Sequence, residues 1–206
     1  MVRTNSTMLP LGTLLPDFDL EVVQDTTICG FFAGQGLNRI TNQDLTQNPL
    51  LIMVICAHCP FVKHIETAIT NLSKDYGNQI QILGVSSNSL ITHPQDGPQN
   101  LADQANQFNW HFPYLLDSDQ SFAKALRAAC TPDFFLFSVL DNDQHKLRYR
   151  GQLDGSSPGN QIPPTGKDLR GAIKAVLEED IVCEEQKPSI GCNIKWHPGN
   201  EPSWFG

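Results

Sequence analysis

Residues 50–56 (LLIMVIC) form an unbroken apolar run, partly β-branched, with the length and composition of a strand buried on both faces of a parallel sheet. The period then changes. Phe61, Ile65, Ala68, Ile69 and Leu72 recur at spacings of three and four, which predicts an amphipathic helix over 60–76 that Gly77 stops. Residues 80–86 (IQILGVS) read as the next buried strand, 92–99 as a loop and 101–108 as a second helix. Strand, helix, strand, helix is the pattern of right-handed βαβ connections and a largely parallel sheet.

The second half of the chain changes character. A short helix over 120–129 precedes two strand-like runs, 134–140 and 146–151, joined by Asp141-Asn142-Asp143-Gln144, which predicts an antiparallel hairpin. Thr165 with Asp168 three residues on approximates a capping box for a last helix through Leu169, Ile173, Val176 and Leu177. Beyond residue 180 regularity stops. The segment 181–206 carries Pro188, Pro198, Pro202, Trp196 and Trp204 and reads as an irregular tail laid over a domain spanning 1–180. No internal repeat or low-complexity segment is visible.

Composition adds a few exclusions. A chain of 206 residues that is 40% hydrophobic and 17% charged is ordinary for one packed core. A formal charge of -8 would repel a nucleic-acid backbone or an anionic lipid surface, so neither is expected as a partner. Residues 1–15 lack the apolar core of a secretory signal, and no stretch approaches the roughly 20 apolar residues of a membrane span. A cytoplasmic protein is expected. Six cysteines in such a chain point to reduced or catalytic thiols more than to a disulfide framework.

Chemistry concentrates at Cys56-Ala57-His58-Cys59, where the buried strand gives way to the helix. Unpaired backbone N–H groups and the positive end of the helix dipole favour a thiolate there, so Cys56 is expected to have a depressed pKa and to attack. Cys59, two intervening residues on, is placed to resolve the mixed disulfide and leave an intramolecular one. His58 either tunes the neighbouring thiolate or is a solvated first-turn residue. No Asp or Glu lies within six residues of Cys56, so any proton acceptor must come from elsewhere in the fold. A second element, Cys130-Thr131-Pro132, leads directly into a strand, and a proline there suits a cis peptide beside backbone that an extended peptide would meet.

CAHC after an apolar strand, with a TP step before a hairpin about seventy residues later, resembles the thioredoxin fold: an α/β domain with a central mixed sheet flanked by helices. The segments CAHCPFVKHI, ACTPDFFLF and PSIGCNIKWHPGNEP resemble bacterial thioredoxin-like proteins of the AhpC/TSA class, a likeness running from about Leu14 to Trp204. The resemblance implies Cys56 as attacking cysteine, Cys59 as resolving cysteine and Pro132 as the cis-proline; Thr131 and Ala57, beside them in sequence, are expected to meet the substrate. No cofactor is expected. The expected partners are a disulfide-containing protein or a small thiol substrate, and a reductant or oxidant protein.

Two departures from the better-known relatives matter. Met53 stands where peroxiredoxins carry Thr or Ser three residues before the peroxidatic cysteine, so peroxide reduction is expected to be slow. Leu50 stands where thioredoxins carry a buried acid. A structural zinc site has no second C-x-x-C or H-x-x-x-H to complete it, and no resident metal is expected. The alternative to exchange is a redox-inactive adaptor or a metal-binding one using Cys56, Cys59 and His58 or His64.

Four cysteines remain. Cys29, in an apolar run, reads as structural, and Cys130 as a packed small residue more than a third redox group. Carboxylates at 178–180 and 184–185 surround Cys183 and disfavour its thiolate. Cys192, near Lys195 and His197, sits in a mildly electropositive and flexible setting. It reads first as a free thiol without a role; if the tail folds back, anchored by Trp196, Trp204 and Phe205, Cys192 rather than Cys183 is the one to exchange with Cys56 or Cys59. Lys63 and His64 read as the solvated face of the first helix.

Overall fold

A computed structural model describes residues 3–24, 30–140 and 144–205. Cys29 and the hairpin turn 141–143 lie outside the described residues.

The strands are β1 (Arg3–Asn5), β2 (Asp19–Val22), β3 (Arg39–Thr41), β4 (Leu50–Val54), β5 (Gln81–Ser86), β6 (Tyr114–Leu116), β7 (Cys130–Thr131), β8 (Asp133–Leu140), β9 (Gln144–Gly151) and β10 (Ile190–Asn193). The helices are α1 (Pro60–Tyr76), α2 (Pro98–Gln107), α3 (Ser121–Ala125) and α4 (Lys167–Leu177). A seven-stranded sheet runs β3-β2-β6-β5-β4-β8-β9. Its centre, β4-β5-β6, is parallel; the strands added at either side are antiparallel. This is the mixed, helix-flanked sheet expected from the sequence.

Strand β4 is buried along its whole length because both faces of the sheet are covered. Its side chains alternate with period two. Leu51, Met53 and Ile55 join one core layer with Val62, Ile69, Leu101 and Ile173, contributed by α1, α2 and α4. Leu50, Ile52 and Val54 join the other with Phe122 of α3 and, from the tail, Ile194 and Trp196. Each such side chain contributes about 1.5–3 kcal/mol on burial. The double covering explains why the run reads as continuous apolar sequence.

Several boundaries differ from the sequence reading. The predicted helix 120–129 is only α3: Asp117 accepts from the Phe122 and Ala123 amides at its start, Arg127 leaves the helix with a φ of 52°, and 130–131 are drawn into a strand. Helix α4 begins at Lys167 after Gly166, whose φ of 74° is the left-handed conformation glycine tolerates. The Thr165–Asp168 box does not form: Thr165 bonds Asp154 and Asp168 accepts from Gln152. The tail is irregular except for β10, which completes a second sheet, β1-β10-β7, with both pairings antiparallel. Trp196 packs edge-on against Trp204 and Phe205.

Candidate dithiol site

The end of β4 delivers Ile55 and Cys56 into the turn that leads to α1. Pro60 occupies the first helical position, where a missing N–H costs nothing, so Cys59 is the N-cap and Cys56 lies three residues upstream. The helix amides therefore act first on Cys59, not on Cys56 as expected. Cys59 Sγ, as a thiol, donates to the Thr131 carbonyl at 3.2 Å. Cys56 Sγ lies 3.5 Å from Thr131 Oγ1 and 3.9 Å from His58 Nδ1. Both cysteines have no solvent exposure. The Thr131–Pro132 peptide is cis, and Pro132 lies between β7 and β8.

The electrostatics divide the pair. A hydrogen bond from the Cys56 thiol holds Cys59 down; burial opposes this, but Thr131, Cys192 and the Val62 amide add to it, and the pKa falls to about 4. Burial pushes Cys56 well up, helped by its hydrogen bond to Cys59 and the negative charge of Asp96. The two sulfurs are therefore shifted in opposite directions, Cys59 down through its hydrogen bonds and Cys56 up through burial, where the sequence predicts the depression on Cys56.

The acid absent from the local sequence arrives from a short 3-10 turn, Pro94–Asp96, between β5 and α2. Asp96 is fully buried. Its Oδ1 accepts from the Ala57 and His58 amides at 3.0 and 3.1 Å, and its Oδ2 lies 2.5 Å from His58 Nδ1. Asn88 Nδ2 donates to the same Oδ2 at 2.8 Å. Burial alone would raise the Asp96 pKa, yet the His58 and Asn88 hydrogen bonds and the His58 charge hold it below the usual carboxylate value. His58 is not a freely solvated residue: besides Asp96 it stacks on His93 with ring centres 5.3 Å apart. Ala57 offers no free amide, because Asp96 takes it.

The tail supplies the next component. In the β10–β7 pair Cys192 stands opposite Thr131 and Asn193 opposite Cys130. Directly opposed residues share a face, so Cys192 points with Thr131 toward the dithiol, whereas Cys130 points away and its Sγ approaches the Pro132 and Ser189 carbonyls. Cys192 is 1% exposed. Burial and its hydrogen bond to Cys59 push its pKa up to about 12, despite Lys195. The flexible, electropositive setting expected for it is replaced by a strand in a buried site. The tail is stitched down beside it: Lys195 N donates to Asn88 Oδ1 at 2.8 Å, and Gln120 Nε2 to the Lys195 carbonyl at 2.9 Å.

The remaining candidates lie apart. Cys183 is exposed. Lys63 is exposed as expected, but His64 is half-buried and its Nε2 is enclosed without a partner among the described residues. Asp133, next to Pro132, is fully enclosed, and burial pushes it well above the carboxylate range. Leu50 is buried in the apolar layer.

The AhpC/TSA family pattern matches residues 11–150.

The chain belongs to the AhpC/TSA family.

An uncharacterized conserved protein from Geobacillus kaustophilus is 42% identical, covering 96% of this chain and 98% of its own, with a TM-score of 0.85. A hypothetical protein from Sinorhizobium meliloti is 37% identical over 94% of this chain and 98% of its own, with a TM-score of 0.83. A secreted Mycobacterium tuberculosis disulfide oxidoreductase homologous to DsbE of E. coli shares 11% identity over 77% of this chain and 95% of its own, TM-score 0.53, which shows a common thioredoxin-like fold. No curated protein matches the chain. Within the described residues of this family member, no helix is long and apolar enough to cross a membrane.

Proposed function

We propose that the protein is a thiol–disulfide oxidoreductase whose Cys56–Cys59 dithiol cycles against a disulfide on a protein or a small molecule. A reductant or oxidant protein restores it. The observation that carries this reading is the pair itself: two buried sulfurs at a strand-to-helix junction, both meeting Thr131 beside the cis Thr131–Pro132 peptide. Cys56 attacks one sulfur of the substrate disulfide as its proton passes to Cys59, and the other substrate sulfur leaves as a thiolate; Cys59 then gives up the proton to that thiolate and attacks Cys56 Sγ in the mixed disulfide, releasing the second substrate sulfur and leaving the Cys56–Cys59 bond. A thiolate with a low pKa is a good leaving group, so the Cys56–Cys59 disulfide is readily reduced and the protein leans toward oxidising its partners.

A metal-holding or turnover-free adaptor is the second reading, drawn from Cys56, His58 and Asp96, whose ligand atoms all lie within 4.8 Å of one another. The same His58 nitrogen faces both the sulfur and the carboxylate, an arrangement that suits a shared proton better than a cation.

The deciding experiment is reduction of insulin disulfides by the reduced protein with a regenerating thiol. Turnover lost in both Cys56→Ser and Cys59→Ser, with a mixed disulfide accumulating on Cys56 in the latter, supports exchange. Unchanged turnover in either variant would overturn it.

A further inference from the structure

Across the second sheet, Arg3 of β1, Cys192 of β10 and Thr131 of β7 lie in one register row. Opposed residues of antiparallel strands share a face. The direction of that face is fixed twice: Thr131 Oγ1 meets Cys56 Sγ at 3.5 Å, and the Arg3 guanidinium lies 5.7 Å over the ring of Phe61, two residues beyond Cys59. Cys192, in the middle of the row, therefore faces the start of α1, and it joins Cys56 and Cys59 in one buried cluster. Gly191 makes this approach possible. A β-carbon at that position would collide with the Thr131 carbonyl, so only glycine lets β10 seat close enough for its neighbour's thiol to enter the site.

We infer that Cys192 is a third exchange thiol and that its partner is Cys59, so that Cys59 is a pivot shared by two alternative disulfides. This rests on the exchange reading above, which supplies the first disulfide at the expense of a substrate disulfide. The step itself is an isomerisation. The Cys192 thiolate attacks Cys59 Sγ, the Cys59–Cys192 bond forms as the Cys56–Cys59 bond breaks, and the electron pair of the broken bond goes to Cys56. The proton shed by Cys192 ends on Cys56, and nothing is oxidised or reduced overall. Part of what disfavours ionisation of Cys192 is the neighbouring Cys59 anion, and that charge is gone once Cys59 is in a disulfide. The result returns Cys56 to a free thiol and bonds the tail strand to the first turn of α1.

The test uses the full chain, reduced, then treated with oxidised glutathione, acid-quenched, and analysed by intact mass and non-reducing peptide mapping. Cys56→Ser should lose two thiols and yield a Cys59–Cys192 link without retained glutathione. Wild type should yield Cys56–Cys59 together with a fraction of Cys59–Cys192, which reads out the same pairing without a substitution should the variant fail to fold. A wild type that forms Cys56–Cys59 alone, with Cys192 alkylated quantitatively after unfolding, overturns the pivot and leaves the exchange reading intact. So does a stable Cys59–glutathione adduct in folded Cys56→Ser. A wild type in which Cys59 forms neither link removes the exchange reading and this one with it.

Discussion

Asp96 holds His58 three ways at once, through the backbone amide at 3.1 Å, through the ring at 2.5 Å, and through the adjoining Ala57 amide at 3.0 Å that fixes the turn before it. Replacing Asp96 with Ala strands these donors in a buried site and should destabilise the protein by roughly 2–3 kcal/mol in urea denaturation. The pH dependence has a definite sign. Because the folded-state pKa of Asp96 lies below its unfolded value, its contribution is present above about pH 4 and is lost as pH falls through the folded value. Asp96→Asn keeps an acceptor but removes the anion that raises Cys56, so Cys56 should alkylate faster at a given pH than in wild type. An unchanged rate would show that the carboxylate is only a structural cap.

Thiolate absorbance near 240 nm should titrate in reduced wild type with a midpoint at about 4. Cys59→Ser should abolish that step, leaving Cys56 protonated through neutral pH. A low midpoint surviving in Cys59→Ser but not in Cys56→Ser would reverse the assignment of the ionised sulfur.

Redox state should change stability in a pH-dependent way. Below an unfolded thiol pKa of roughly 8.5, Cys56 and Cys192 are protonated in both folded and unfolded chains and contribute nothing to linkage. Cys59 alone differs, its folded value being depressed to about 4. Its stabilisation of the reduced form is complete above pH 8.5, declines as pH falls, and is gone below about 4. The melting-temperature advantage of reduced over oxidised protein should shrink along that course, which calorimetry on both forms measures.

Peroxide should be a poor substrate despite the family. Met53 is fully buried and offers no hydroxyl where a peroxidatic site needs one, and Cys56 has no solvent exposure. Stopped-flow consumption of hydrogen peroxide should run at rates of the order of a free thiol's; rates orders of magnitude faster would show a peroxidatic site assembled from other groups.

The central sheet and α1 were legible because long, fully buried runs and a sustained period of three and four leave no competing reading. Strands of two to four residues such as β1, β7 and β10 carry no period at all, and their pairing is decided by what lies opposite. The N-cap role of Cys59 was readable from Pro60, since proline favours the first helical position. Asp96 was hidden by its sequence distance from the dithiol. A rule of topology still points to it, because loops that follow adjacent parallel strands meet at the same edge, and residues 87–97 follow β5 as 55–59 follow β4. Cys192 is visible as a candidate; its burial is not, because Lys195 spends its charge on Asn193 and the strand is held between β1 and β7.

Asn88 gives the tail leverage over the active turn. Its side-chain amide has one donating end and one accepting end, committed respectively to Asp96 and to the Lys195 amide. The amide therefore has a single satisfying orientation: turned over, it would set donor against donor and oxygen against oxygen. Whatever draws residues 192–195 out of line draws Asn88 with them, and Asn88 is one of the groups that keeps the Asp96 charge seated against Ala57 and His58. Residues more than a hundred positions along the chain thus act on the electrostatics of Cys56 through a linkage one side chain long.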